Sequence, residues 1–206
     1  IKVVITQEKL KILENISHNE LKGIKITFIN MPLREAATPN VPPEGPGILS
    51  AIVRKYGGDP YILDLNGYRI KDELALEKGL PNGRYLTYEE VEALIVKHLH
   101  NAGEQDIFAL SGKITTLKWQ EETAKIIKKL QPDSFLVSGN GLATEMQRGL
   151  FAWIPELDAI ARSEGDGVII DICKDGKLIK EKDYALTYID PKKTSFELDQ
   201  THKANT

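Results

Sequence analysis

Cysteine is nearly absent from this chain: Cys173 stands alone among 206 residues. A lone thiol permits no intramolecular disulfide and fits a reducing compartment, so a cytoplasmic location is expected. It cannot build a cysteine zinc site, and it cannot by itself ligate a conventional iron–sulfur cluster. Net charge is also small, −3 from 27 basic and 30 acidic residues. That balance argues against broad binding to nucleic acid or to an anionic membrane. No apolar run reaches the roughly 18 residues a membrane span needs, and no basic-then-apolar signal segment opens the chain. Two phosphate-binding signatures are missing as well. There is no Gly-x-x-x-x-Gly-Lys-Ser/Thr loop, and no Gly-x-Gly-x-x-Gly follows the first strand-like run, so nucleotide binding has no direct support.

What is present is ordinary for a globular protein. Apolar residues make up 41% and charged residues 28%, which excludes collagen-like, low-complexity and wholly disordered chains. The length suffices for one large domain, or one domain with appendages, and for a core without disulfide or metal staples. The first residue is Ile1 rather than Met, from which we expect a piece of a longer protein.

Apolar periodicity alternates between strand and helix. Ile24 to Ile29 is a β-branched run ending at Asn30-Met31-Pro32, the pattern of a buried strand. A stretch rich in Pro and Gly follows, from Pro32 to Gly47. Ile48, Leu49, Ile52, Val53 and Tyr56 then recur at helical spacing, and Gly57-Gly58 closes that helix. Pro60 to Leu65 reads as the second strand, and Asn66 to Arg84 as an insertion or mobile loop. Thr87 and Glu90 form a capping box for a helix with Val91, Leu94, Ile95, His98 and Leu99 on its apolar stripe. Asp106 to Leu110 is the third strand. Thr115 or Thr116 caps a helix bearing Trp119, Thr123, Ile126, Ile127 and Leu130, which Pro132 stops. Phe135 to Val137 is the fourth strand, with a short helix from about Thr144 to Phe151. Ala159 to Arg162 is the fifth, and Gly167 to Cys173 begins a last helix.

Repeated strand–helix units imply right-handed crossovers. The expected fold is therefore α/β: a flavodoxin-like (Rossmann-like), doubly wound, five-stranded parallel sheet in the order 2-1-3-4-5, with helices on both faces. Residues 22–180 would form this domain. Residues 1–21 are an N-terminal extension, with a possible helix through Leu10, Leu13 and Ile16. Residues 181–206 carry a possible strand, Tyr184 to Ile189, and then a polar tail or linker.

In such sheets ligands bind beyond the carboxyl ends of the strands. Four loops there carry candidate chemistry. The first runs from Met31 through the Pro- and Gly-rich segment to Pro43, Glu44, Gly45 and Pro46. It is long for a βα connection, stiffened by proline and opened by glycine. The second holds Ser111, Gly112, Lys113 and Thr115, small or polar groups at a strand end. The third is Ser138-Gly139-Asn140-Gly141, whose glycines leave a slot for a flat or extended ligand. The fourth includes Glu164 and Gly165, which either border a site or serve the following helix through its dipole.

Other signals are weaker. His98 and His100 are two apart on a helix and face different sides, so joint metal binding is not expected. His98 reads as a half-buried stripe residue and Cys173 as a core residue. No Ser-His-Asp or Cys-His arrangement can be proposed from spacing.

Taken together, the four loops resemble the cobalamin-binding domain of cobalamin-dependent radical S-adenosylmethionine enzymes. Pro42-Pro43-Glu44-Gly45-Pro46-Gly47, the helix after it and Tyr61-Ile62-Leu63-Asp64 are similar to that domain's opening. Ser111 resembles the serine at the end of its third strand. Gly139 resembles the first residue of a Gly-Gly pair at the fourth, followed by Ala143-Thr144. Arg162-Ser163-Glu164-Gly165-Asp166 is similar to its Gly-Glu-Gly-Glu stretch after strand five. The resemblance covers roughly residues 24–175. Asn140 replaces the second glycine of the pair, and Lys113 an apolar residue. Cobalamin mutases and methionine synthases carry Asp-x-His-x-x-Gly, whose histidine ligates cobalt; the radical enzymes lack it, and so does this chain.

The resemblance implies cobalamin bound base-off without a histidine ligand, its nucleotide tail laid along the strand ends. It implies a parent methyltransferase whose radical S-adenosylmethionine barrel, with its four-iron cluster on Cys-x-x-x-Cys-x-x-Cys, lies outside this chain. S-adenosylmethionine and that cluster would belong to the barrel, so the present chain alone is not expected to be catalytic. Two other readings use the same strand ends: a flavodoxin-like flavin or nucleotide module, and a stand-alone cobalamin carrier or sensor.

Overall fold

The computed structural model describes residues 19–33, 42–68, 72–80, 83–162 and 165–182. Its central strand, β1 (Lys25–Asn30), buries its four inner residues and leaves its ends half-buried. Alternation divides these side chains between two cores. Ile26 and Phe28 enter one, while Ile29 and the following Met31 enter the other. A strand apolar on both sides needs cover on both faces, and the rest of the chain supplies it.

From β1 the chain passes through α1 (Glu44–Lys55) to β2 (Asp59–Asp64). A 3-10 turn (Leu65–Tyr68) and the short α2 (Asp72–Glu77) lead to α3 (Tyr88–Ala102) and β3 (Ile107–Ser111). A second 3-10 turn (Ile114–Thr116) opens α4 (Leu117–Leu130), followed by β4 (Phe135–Gly139). Then come α5 (Asn140–Met146), α6 (Gly149–Trp153), β5 (Ala159–Ile160) and α7 (Gly165–Lys182). The five strands pair in parallel in the order β2-β1-β3-β4-β5. This is the flavodoxin-like order expected from the sequence. On one face Val53 of α1 and Ile169, Ile172 and Cys173 of α7 pack over Ile26, Phe28 and Val137. On the other, Val91, Ile95, Ile127, Leu142 and Leu150 cover Ile29, Phe108 and Leu110.

Several elements differ from the sequence reading, each for a local reason. Glu44-Gly45-Pro46-Gly47 is the first turn of α1, not loop. Proline is tolerated there because a first-turn amide has no intrahelical acceptor to lose, and the Gly47 amide closes the turn on the Pro43 carbonyl at 2.9 Å. The stretch from Asn66 to Arg84 carries a 3-10 turn and α2 among its described residues. The single short helix expected near Thr144 is two, broken at Gln147, where φ is +49°. Thr116 does not cap α4 with its side chain, because its hydroxyl donates to the Lys113 carbonyl at 2.8 Å. β5 is two residues long, and α7 starts at Gly165 rather than Gly167. The expectations for residues 1–18 and for the tail from residue 183 lie outside the described residues.

Other readings hold. The Thr87–Glu90 capping box opens α3, with the Glu90 amide donating to Thr87 Oγ1 at 3.3 Å and the Thr87 amide to Glu90 Oε2 at 2.7 Å. Cys173 is wholly buried, and burial pushes its thiol up to about 12, which removes it as a nucleophile. His98 is the expected half-buried stripe residue. Thr27 Oγ1 donates to Gln105 Oε1 at 2.9 Å and lies 2.7 Å from His98 Nε2. One hydroxyl hydrogen serves one acceptor, so His98 carries its proton on Nε2 and donates to Thr27.

Burial holds the His98 imidazole below its usual 6.5. As pH falls, the unfolded chain therefore takes up this proton before the folded one does. The neutral histidine's contribution to stability is complete above pH 6.5 and declines as pH drops through that value towards the lower folded one. His98→Gln keeps a donor for Thr27 and cannot titrate. Urea unfolding between pH 7.5 and 5 is expected to show a flatter stability profile in this variant than in the native chain.

Candidate functional site

The carboxyl ends of the strands are tied to one another by polar bonds. The Met31 amide donates to the Ser111 carbonyl at 3.0 Å, and the Leu142 amide to the Gly112 carbonyl at 3.2 Å. Asn30 Nδ2 donates to Asp64 Oδ1 at 2.8 Å, and the Leu33 amide to Asn66 Oδ1 at 2.9 Å. These bonds hold the tips of β1, β2 and β3 and the start of α5 in one frame.

A cleft of about 290 Å³ opens beside these tips, on the face covered by α1 and α7. Parallel register builds its base. Phe28 pairs with Ala109, and Ala109 with Val137; one row closer to the tips, Asn30, Ser111 and Gly139 stand side by side. Small side chains at Ala109, Gly139 and Ala161 leave the hollow. The first turns of the two helices wall it, with Gly45, Pro46, Ile48 and Leu49 from α1 and Gly165, Asp166 and Val168 from α7. A Cβ on Gly165 would stand 3.2 Å from Leu49 Cδ2, so this glycine sits where the two helices approach closely. The wall is mostly apolar, and Ile48 at its edge is 56% exposed. The polar side chains that line it are Ser111, Asn140 and Asp166.

The glycines at these strand ends have different causes. At Gly112 a Cβ would meet Thr116 Oγ1 at 2.1 Å and Gln120 Nε2 at 2.8 Å, so packing against α4 requires glycine. Gly139 has no such cause. Its backbone is ordinary extended, φ −133° and ψ −171°. Its Cβ would meet nothing closer than the Ala161 Cβ at 3.8 Å. A side chain there would instead enter the cleft. Asn140 has φ +71°, the left-handed region, which asparagine enters more readily than most residues with a side chain. Its side chain accepts from the Gly141 amide at 2.6 Å and donates to Ser111 Oγ at 3.2 Å, bridging the tips of β3 and β4.

Of the residues singled out from the sequence, the structure brings Gly45, Pro46, Ser111, Gly139, Asn140 and Gly165 together around the cleft. Pro43 and Glu44 start α1 and do not line it. Met31 is buried in the opposite core, its sulfur 3.9 Å from Thr123 Oγ1. Ser138 is buried too, donating to Gln120 Oε1 of α4 at 2.7 Å. Gly112 is packed away, Lys113 and Thr115 are exposed beyond β3, and Gly141 lies in α5 outside the wall. Glu164 lies outside the described residues. The sequence reading missed the base, chiefly Phe28, Ala109, Val137, Ile169 and Ile172. The strand members were within reach: each stands two residues before Asn30, Ser111 or Gly139, hence on the same side of its strand. Among the described residues no group of three or more His, Cys, Asp or Glu stands together as a metal site. No helix there is long and apolar enough to cross a membrane.

No protein-family model matches this chain, and no curated protein matches it in sequence. Among solved structures it is similar to the cobalamin-dependent S-adenosylmethionine radical enzyme OxsB, solved with aqua-cobalamin and S-adenosylmethionine bound. The TM-score is 0.58 at 19% identity, and the match covers 83% of this chain and 20% of that one. The likeness is one of fold.

The two glycines can be separated by experiment. Gly112→Ala is expected to destabilise by about 1–3 kcal/mol through overpacking. Gly139→Ala is expected to be neutral or to stabilise by up to about 1 kcal/mol, because it restricts only the unfolded chain. Paired urea melts of the two variants measure the difference.

Proposed function

We propose that this chain is a cobalamin-binding module, with the tail of the cofactor seated in the cleft beside β3 and β4. The observation that carries this reading is Gly139, a glycine that neither backbone geometry nor packing requires, set in the wall of an apolar hollow. The fold likeness to a radical enzyme solved with cobalamin supports it. At about 290 Å³ the cleft lies at the small end of ligand sites, which run from ~300 to 1,000 Å³. It suits a flat dimethylbenzimidazole with part of its linker, and the corrin ring would rest outside, over the strand tips. An aromatic group of this size buries on the order of 150–250 Å², worth roughly 4–6 kcal/mol. Micromolar affinity needs about 8 kcal/mol, so the tail can be the main anchor.

The residues divide the work accordingly. Gly139 with Ala109 and Ala161 leaves room for a ring, and Leu49 and Val168 of the two helix walls would lie against it. Ser111 and Asn140 would offer hydrogen bonds at the mouth, and Lys113 and Thr115, exposed beyond β3, would meet the polar side arms of the corrin. No described histidine reaches this cleft: His98 is bonded to Thr27 under the opposite face, and His100 is exposed on α3. With its tail in the cleft the cofactor would be held base-off, and neither described histidine would serve it as a ligand. When bound, the cofactor supplies methyl transfer through cobalt, and the protein's part is to hold and orient it. The parent enzyme is a radical S-adenosylmethionine methyltransferase whose barrel and four-iron cluster lie outside this chain.

Reconstitution with hydroxocobalamin, desalting and a visible spectrum test the reading. The expected result is retained corrinoid with a base-off spectrum that is unchanged when each histidine is replaced in turn. Gly139→Val is expected to fold normally by circular dichroism and to lower affinity at least about tenfold, some 1.4 kcal/mol. A chain that retains no corrinoid but binds flavin or a nucleotide would be a flavodoxin-like module instead.

A further inference from the structure

The base of the cleft carries a second consequence, which rests on the reading of the cleft as the seat of a corrinoid tail. Corrinoids share the ring system and differ in the base at the end of the tail, which is a benzimidazole, a phenol or a purine. A benzimidazole or a cresol presents methyl groups and ring carbon to its surroundings. A purine presents additional ring nitrogens and, in adenine, an amino group, each of which must exchange water for a partner when buried.

We infer that the base of this cleft selects for the apolar tails, accepting a benzimidazolyl or phenolyl corrinoid and rejecting a purinyl one. The lining side chains there are Phe28, Ala109 and Val137 from the sheet and Ile169 and Ile172 from α7. None of the five has a side-chain polar atom. The sheet backbone beneath them is committed as well. β1 is paired on both sides, with β2 and β3; β3 with β1 and β4; and β4 with β3 and β5, through Phe28, Ala109 and Val137 themselves. Amides in such ladders have no hydrogen left to give a purine nitrogen, and their carbonyls already accept one bond each. The polar side chains of the cleft, Ser111, Asn140 and Asp166, belong to its mouth and not to its base: the first two stand at the strand tips, where Asn140 Nδ2 donates to Ser111 Oγ at 3.2 Å, and Asp166 is exposed in the first turn of α7. The polar groups of a purine that reach this base thus lose water without replacement. Each unmatched polar group weakens binding by about ten- to a hundredfold. An apolar pocket rejects a polar analogue by no more than about that range, so we expect a graded preference and not absolute exclusion.

Equilibrium titration of the full chain with four corrinoids tests this, followed by visible absorption. The set is cobalamin, a cresolyl cobamide, an adenyl cobamide, and cobinamide, which has no base. Cobalamin and the cresolyl form are expected to bind within a few-fold of each other, the adenyl form about ten- to a hundredfold more weakly, and cobinamide more weakly still. Val137→Thr, which keeps the shape of valine and adds a hydroxyl, is expected to narrow the gap between cobalamin and the adenyl form. An adenyl form that binds as tightly as cobalamin overturns the inference while leaving the module reading intact. A gap unchanged in Val137→Thr overturns the assignment of selectivity to this surface. Cobinamide binding as tightly as cobalamin removes the tail from the cleft altogether. If none of the four binds, the module reading fails and this inference fails with it.

Discussion

The pairing of β1 with strands on both of its sides is the constraint on which the rest of the structure depends. A central parallel strand exposes no backbone bond and no polar face, so apolar residues must run along it and helices must cover it twice over. Once Ile26 and Phe28 belong to one core and Ile29 and Met31 to the other, the register fixes which residues of β3 and β4 share each side. Phe28, Ala109 and Val137 line up beneath α1 and α7 because the ladders run without a bulge from β1 to β4. The cleft is a hole in that row, made where side chains shrink towards the tips.

Glycine shows how the fold and the site make different demands on the same residue type. Gly58 lies against Val53, Gly112 against Thr116 and Gly176 against Ile107, and a Cβ at any of the three would come within 3.0 Å of a neighbour. These positions answer to close packing between layers. Gly139 answers to the empty space beside it. Its neighbour Asn140 belongs to both categories: its left-handed backbone makes the sharp entry into α5, and its amide group joins β3 to β4.

Much of this architecture was legible in the amino-acid order. Strand order, the capping box at Thr87, the burial of Cys173 and the half-buried place of His98 follow from periodicity and from cap chemistry. What misled was residue type read without position. Pro46 and Gly47 suggest loop anywhere except the first turn of a helix, where both are tolerated, so α1 was taken to begin a turn late. Thr116 suggests a cap, but its hydroxyl found the Lys113 carbonyl three residues back. At the candidate site, the polar and glycine-bearing loops are what stands out in the sequence. Ser138, Gly112 and Met31 proved to serve the face towards α4. The apolar base is hard to see in the sequence because valine, alanine and phenylalanine in a strand look like core, and in a sheet that is hollowed at one end they are core and cleft wall together.

The extended backbone of Gly139 has a consequence on another timescale. Mutation and drift tend to fill positions where a methyl group costs nothing, since most neutral substitutions persist by chance. Folding leaves this position unguarded, since its φ of −133° is open to any residue and an added Cβ meets nothing closer than 3.8 Å. Position 139 is thus an inner position that can acquire a side chain with the sheet, the caps and both cores still in place. The same fold would then survive with its hollow closed.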